Sequence, residues 1–124
     1  MNQHFLFWGQ PVDGGERVVG YYVRRTSSAG PVSFIVVPAD DPDSMCVNVP
    51  VDEDTVAQCT GLKDRAGKLV FVGHILENEF GNIFVVTWGG NEFSLKGKGG
   101  HTFCAPGNKR TIGNVYDNPE LLGT

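Results

Sequence analysis

Lys96-Gly97-Lys98-Gly99-Gly100-His101-Thr102 is the stretch of this 124-residue chain whose residue types best suit chemistry. Two cations, an imidazole and a hydroxyl stand among glycines that let a backbone come close to a ligand. Ammonium groups and exposed backbone N–H groups are what hold phosphate oxygens. The order is not that of a P-loop, because the Gly-Lys-Ser/Thr sequence and the helix that follows it are missing. Lys109 and Arg110 extend the basic run, and Arg24-Arg25 add two planar guanidinium groups at the end of an aromatic segment. The expected ligand- or partner-binding residues are therefore Lys96, Lys98, His101, Thr102, Lys109, Arg110, Arg24 and Arg25.

Catalysis has less to draw on. A hydrolytic site needs a nucleophile, a base and a group that orients the base, and none of His4, His74 and His101 stands in such a spacing. His74 and Glu77, three residues apart, would point to opposite faces of one continuing strand. His74, His101, Cys59 and Cys104 follow no zinc-ligand pattern. The carboxylates at 40–43 and 52–54 read as solvated loop acids. The chain is expected to need no metal or cofactor and not to be an enzyme. His101 is the best available base should it be a nucleotide phosphodiesterase.

Charge is polarised along the chain. Between Thr26 and Leu62 the six ionised side chains are all acidic (Asp40, Asp41, Asp43, Asp52, Glu53, Asp54), and between Phe93 and Tyr116 the four are all basic (Lys96, Lys98, Lys109, Arg110). The formal net charge of −4 argues against bulk coating of nucleic acid. Three widely spaced cysteines and the lack of an apolar membrane-length run or a leader-like start predict a soluble, cytoplasmic protein with reduced thiols.

The elements that must position these groups are short. There are 17 Gly and 7 Pro, with glycine at about twice the usual ~7%, so turns recur too often for long helices. Phe5-Leu6-Phe7-Trp8 and Val18 to Val23, joined through Asp13-Gly14-Gly15, read as a hairpin within residues 1–25. Central strands fall within 33–96: Ser33 to Val37, Met45 to Val51 with Pro50 marking a sheet edge, Leu69 to Leu76, Ile83 to Trp88 and Glu92 to Lys96. Ile83 to Trp88 is continuously apolar and is expected to be buried on both faces. Trp8 and Trp88 are both expected in the core. Residues 60–68 read as a polar turn and 96–108 as an irregular loop. Thr111 to Tyr116 is a last strand, and Pro119 opens a helical turn within a 111–124 cap. About eight short strands imply a single, mainly β domain over 1–124, as a small SH3-like barrel or a two-sheet sandwich.

Two blocks, Thr60-Gly61-Leu62-Lys63-Asp64-Arg65-Ala66-Gly67-Lys68 and Ile112-Gly113-Asn114-Val115-Tyr116-Asp117-Asn118-Pro119-Glu120-Leu121-Leu122, resemble the YopX family of phage and prophage proteins. Residues 12–23 and 51–58 resemble the family's N-terminal hairpin and the lead-in to its central motif. Val72-Gly73-His74 stands where the family usually has Glu-Gly-Asp. The resemblance implies a phage accessory gene and possible self-assembly, and brings no catalytic residues. Within the central block, Gly67 is expected to make the turn while Leu62 and Val70 pin it to the core.

The resulting expectation is a phage-encoded protein, in the cytoplasm of an infected or lysogenic bacterium, that works by binding. It would neutralise a host defence or regulatory component by sequestering a small phosphorylated nucleotide or by blocking a host protein. A nucleic-acid-binding accessory factor is the alternative. Complementary acidic and basic segments favour a head-to-tail homo-oligomer.

Overall fold

Glycines in the left-handed region set where this chain turns. A computed structural model describes residues 6–39, 41, 43–89, 92–103 and 105–122. The expectations placed on His4, Phe5, Asp40, Pro42 and Cys104 lie outside the described residues. The chain divides into two compact units, residues 1–58 and 59–124.

In the first unit, strand β1 (Phe7–Gly9) pairs antiparallel with β2 (Val18–Ser27), Trp8 opposite Val19. Gly14 and Gly15, at φ of 89° and 92°, make the connection that Asp-Gly-Gly predicted. β2 runs on through Arg24 and Arg25 to a tight turn, and β3 (Gly30–Val37) returns along it from Ser27↔Gly30 to Tyr21↔Val36. β4 (Val47–Pro50) lies beyond β3 at the sheet edge, where Pro50 placed it. Leu6, Trp8, Ile35, Val51 and Ala57 are buried here. The Arg17 guanidinium sits 4.6 Å from the Trp8 ring centroid, a cation–π contact. Asp52 caps a 3₁₀ turn over Glu53–Thr55 by accepting the Asp54 N–H at 3.1 Å, so one of the supposed loop acids has a structural task.

Strand β5 (Ala57–Lys63) starts against β1 and carries the chain into the second unit. There it meets β6 (Leu69–Phe71), with a register shift between Cys59 and Lys63 where Gly61 takes φ of 80°. β7 (His74–Glu77), β8 (Ile83–Gly89), β9 (Glu92–Gly97), β10 (Gly100–Phe103) and β11 (Arg110–Asn114) form a sheet ordered β10-β9-β8-β7-β11. Val70 of β6 forms a buried cluster with Leu76, Val86 and Leu95 of this sheet, with Phe84 packed against it.

The chain is mainly β, as its composition implied, and both sheets are antiparallel. They are open, however, and not an SH3-like barrel: β10 and β11, which closure would have to pair, stand at opposite edges of the second sheet. The described residues hold eleven strands. The span expected as one strand over 69–76 is two, because Gly73 at φ of 93° turns the chain between β6 and β7. β8 is not buried on both faces. Val86 is enclosed, but Trp88 at the strand end is 55% exposed, whereas Trp8 at 8% is core as expected. A continuous apolar run marks two-sided burial only when both faces are covered along its whole length. Leu62, expected as a pin, is exposed, while Val70 is fully buried. The closing 3₁₀ turn spans Pro119–Leu122.

A Cβ at Gly20 would collide with the Val36 carbonyl oxygen across the β2–β3 ladder, while one at Gly99 meets nothing within 4 Å. In urea denaturation, Gly20→Ala should lose about 1–3 kcal/mol or more. Gly99→Ala should stay within about 0.5 kcal/mol of the parent.

Candidate functional site: a polar cleft and a basic hairpin

The turn after β5 is built around one carboxylate. Asp64 is buried, and its Oδ1 accepts the N–H groups of Ala66 and Lys68, each at 2.9 Å. Its Oδ2 accepts the Thr111 hydroxyl at 2.7 Å and the Thr111 N–H at 3.2 Å. Gly67, at φ of 82°, closes the turn as predicted, and the Asp64 N–H donates to the Lys68 carbonyl at 2.8 Å. Burial pushes the Asp64 pKa up, but the Thr111 hydroxyl and the backbone donors of Lys68, Thr111 and Ala66 outweigh it and hold the carboxyl below its ordinary 3.8.

This hub fixes the neighbours that form a cleft. The Arg65 N–H donates to the Lys109 carbonyl at 2.8 Å, which holds the Arg65 backbone beside the start of β11. Arg65, Glu77, Asn78, Glu79, Asn108 and Arg110 line a polar cleft of about 290 Å³. Arg110 is opposite Glu77 in the β11–β7 ladder and donates from Nη2 to Glu77 Oε1 at 2.9 Å. The Asn78 side-chain oxygen accepts the N–H groups of Phe80 and Asn82 at 3.0 and 2.9 Å, forming the turn into β8. The Asn108 Oδ1 accepts from Lys109 Nζ at 2.9 Å.

The basic residues expected to act together are distributed by strand alternation. Residues 97–100, read as part of an irregular loop, are the tip of a β9–β10 hairpin with Gly97 opposite Gly100 and a two-residue connection through Lys98 and Gly99. Lys96 and His101 are directly opposite and so share a face. The register runs from Lys96 to Val85 on β8, and from Glu77 to both Ile83 and Arg110, which places Arg110 on that same face. Thr102 pairs with Leu95 and therefore belongs to the other face. Lys109 Nζ lies 5.5 Å from the ring centroid of Phe84, on the core side, and also donates to the Ala105 carbonyl at 2.9 Å. Arg24 and Arg25 are in the first unit, where Arg24 Nε donates to Glu53 Oε1 at 2.7 Å and both partners are half exposed. Among the described residues, Lys96, Lys98, His101 and Arg25 make no ion pair.

Charge follows the two units. Residues 1–58 hold three Lys or Arg against eight carboxylates, and residues 59–124 hold seven against six, giving −5 and +1. The remaining histidine in view is structural, since His74 Nδ1 accepts the Phe71 N–H at 3.1 Å across the β6–β7 turn. Burial pushes the Cys59 thiol pKa up, partly offset by the N–H that Gly61 donates to its sulfur. Among the described residues, no group of three or more His, Cys, Asp or Glu is placed to hold a metal ion, and no helix is long and apolar enough to cross a membrane. Arg65, Asn78 and Asn108 were not singled out from sequence. The available signals were Arg65 following a turn-forming Asp and an Asn opening the 78–82 turn.

Asp64→Asn turns one acceptor oxygen into an NH₂ facing donors. It should cost on the order of 3 kcal/mol at pH 7. A carboxylate whose native pKa is depressed stabilises the fold above its unfolded value near 4 and loses that contribution as pH falls through the lower native value. The gap between parent and Asp64→Asn in equilibrium unfolding should therefore hold from pH 7 to about 5 and narrow below about 4. A pH-independent gap would refute this account of Asp64.

Curated proteins provide no match to this chain. A family model described as YopX protein matches residues 36–123, most of the chain, including the Asp64 turn, every residue lining the cleft and the whole β9–β10 hairpin. With that coverage, and with both sequence blocks that resemble the family lying inside it, the chain belongs to the YopX protein family, and the membership points to a phage-type protein.

Proposed function

We propose that this protein is a phage accessory protein that acts by binding, neutralising a host defence or regulatory component by sequestering a phosphorylated nucleotide signal or by blocking a host protein. The observation that carries the reading is the β9–β10 hairpin. Lys96 and His101 stand side by side on one face with Lys98 at the tip, and none of them is paired with a carboxylate among the described residues. Arg24 and Arg110 already have carboxylate partners. The Lys96 and Lys98 ammonium groups, without an internal carboxylate partner, can meet an anion with no pair to break, and a tight hairpin loses little freedom in doing so. Occupancy is favoured over turnover because, among the described residues, no carboxylate orients His101, and a base needs such a partner to be poised. Family membership supports the phage setting.

Native and denaturing mass spectra of the protein purified from infected host cells test this. Bound ligand should add roughly 300–1,000 Da under native conditions only, the size of a small pocket-filling molecule, or a host protein should co-purify. Lys96→Ala combined with Lys98→Ala should reduce either species severalfold. Protein that carries neither, or that converts the captured molecule into product, would overturn the proposal.

A further inference from the structure

The cleft beside the Asp64 turn has a donor pattern that its own fold does not consume. The Asn78 and Asn108 side-chain oxygens are both engaged, by the backbone N–H groups of Phe80 and Asn82 and by Lys109 Nζ. Each residue therefore offers its NH₂ end. Arg65 makes no ion pair among the described residues, and Arg110 retains further N–H groups beyond the one given to Glu77. Amide NH₂ groups and a guanidinium lining one concavity are the donor set that holds a phosphate. The acceptors Glu77 and Glu79 also line it; they would repel a bare polyanion but accept hydrogen bonds from hydroxyls. The cleft, about 290 Å³, sits at the lower end of the ~300–1,000 Å³ usual for small-ligand sites.

We infer that this cleft binds a phosphorylated sugar. The phosphate is held by Arg65, Asn78 and Asn108, and the sugar hydroxyls are held by Glu77 and Glu79. The sugar phosphate is either part of a nucleotide or free. The inference rests on the proposal that the protein binds a phosphorylated ligand, and it assigns recognition to the cleft. Lys96, on the same sheet face as Arg110, supplies longer-range attraction that salt screens.

Calorimetric titrations with ribose 5-phosphate, AMP and inorganic phosphate provide the test, on the parent chain, Arg65→Ala, Asn108→Asp, and Lys96→Ala with Lys98→Ala. Asn108→Asp keeps an oxygen for Lys109 Nζ but replaces the donor with a charge, and thermal unfolding of each variant checks that it folds. Both sugar phosphates should bind the parent more tightly than inorganic phosphate. Arg65→Ala and Asn108→Asp should each weaken them about tenfold or more, while the lysine pair changes affinity by only about threefold at physiological salt. AMP binding more tightly than ribose 5-phosphate assigns the site to nucleotides, and equal or weaker AMP binding assigns it to free sugar phosphates. If neither sugar phosphate binds the parent, the inference is overturned, while capture of a host protein would still uphold the broader proposal. If binding survives in Arg65→Ala and Asn108→Asp but disappears in the lysine pair, the hairpin is the site and the cleft is not.

Discussion

The buried carboxylate of Asp64 is the interaction on which the second unit depends. Four donors converge on it, two from its own turn and two from Thr111, forty-seven residues further along the chain. A buried charge is tolerated only when its acceptor positions are filled, and here filling them joins the exit of β5 to the first residues of β11. That ladder brings Arg110 opposite Glu77, and the adjacent bond from Arg65 N–H to the Lys109 carbonyl fixes Arg65. An apolar side chain at 64 would leave the Ala66, Lys68 and Thr111 N–H groups without this acceptor, which is why the turn is built on an acid.

The end of β11 is secured by a second polar hub of the same kind. Asn114 Oδ1 accepts the N–H groups of Tyr116 and Asp117, each at 2.9 Å, while its Nδ2 donates to Asp117 Oδ2 at 3.0 Å. The Asn114 N–H donates to Asn118 Oδ1, and a Cβ on Gly113 would lie 2.5 Å from that same oxygen. The Val115 N–H reaches the Gly73 carbonyl at 2.8 Å, which ties this segment to the β6–β7 turn. Both blocks that resemble the family are thus accounted for by turns whose side chains satisfy backbone groups. Their residues are placed to hold β11 at both ends, and the chemistry available to solvent is carried by what they position.

Local signals in the sequence were legible where one residue type dictates a backbone state. Gly14-Gly15, Gly67 and Pro50 marked a hairpin turn, a second turn and a strand edge, and the mainly β class followed from turn spacing. Long-range pairing was not legible. Within the Leu69 to Leu76 run Gly73 alone marks the break, and the turn it makes is held by bonds to Val86 and Val115 far along the chain, which no local pattern reveals. Burial at Trp88 was misjudged for the same reason: the pattern records that a residue is apolar, and only the sheet's extent decides whether anything covers it. The cleft was invisible because Arg65, Asn78 and Asn108 come from three separate turns, each of which reads alone as ordinary punctuation.

A basic run in sequence is also not a basic patch in space, and here the difference follows from the pleat. Lys96 and His101 face one side of the sheet, and Thr102 the other, because successive strand residues alternate. Lys109 and Arg110 are adjacent, yet one ammonium lies over the Phe84 ring on the core side while the other cation meets Glu77 on the opposite side. A single small anion therefore cannot gather all of these charges. What the fold retains for recognition is narrower: one face that carries Arg110 together with Lys96 and His101, which make no ion pair among the described residues, and at its β11 end a cleft whose amide donors are oriented by bonds the protein has already made. Orientation before binding, more than the number of charges, is what lets a small and nearly neutral cleft discriminate among ligands.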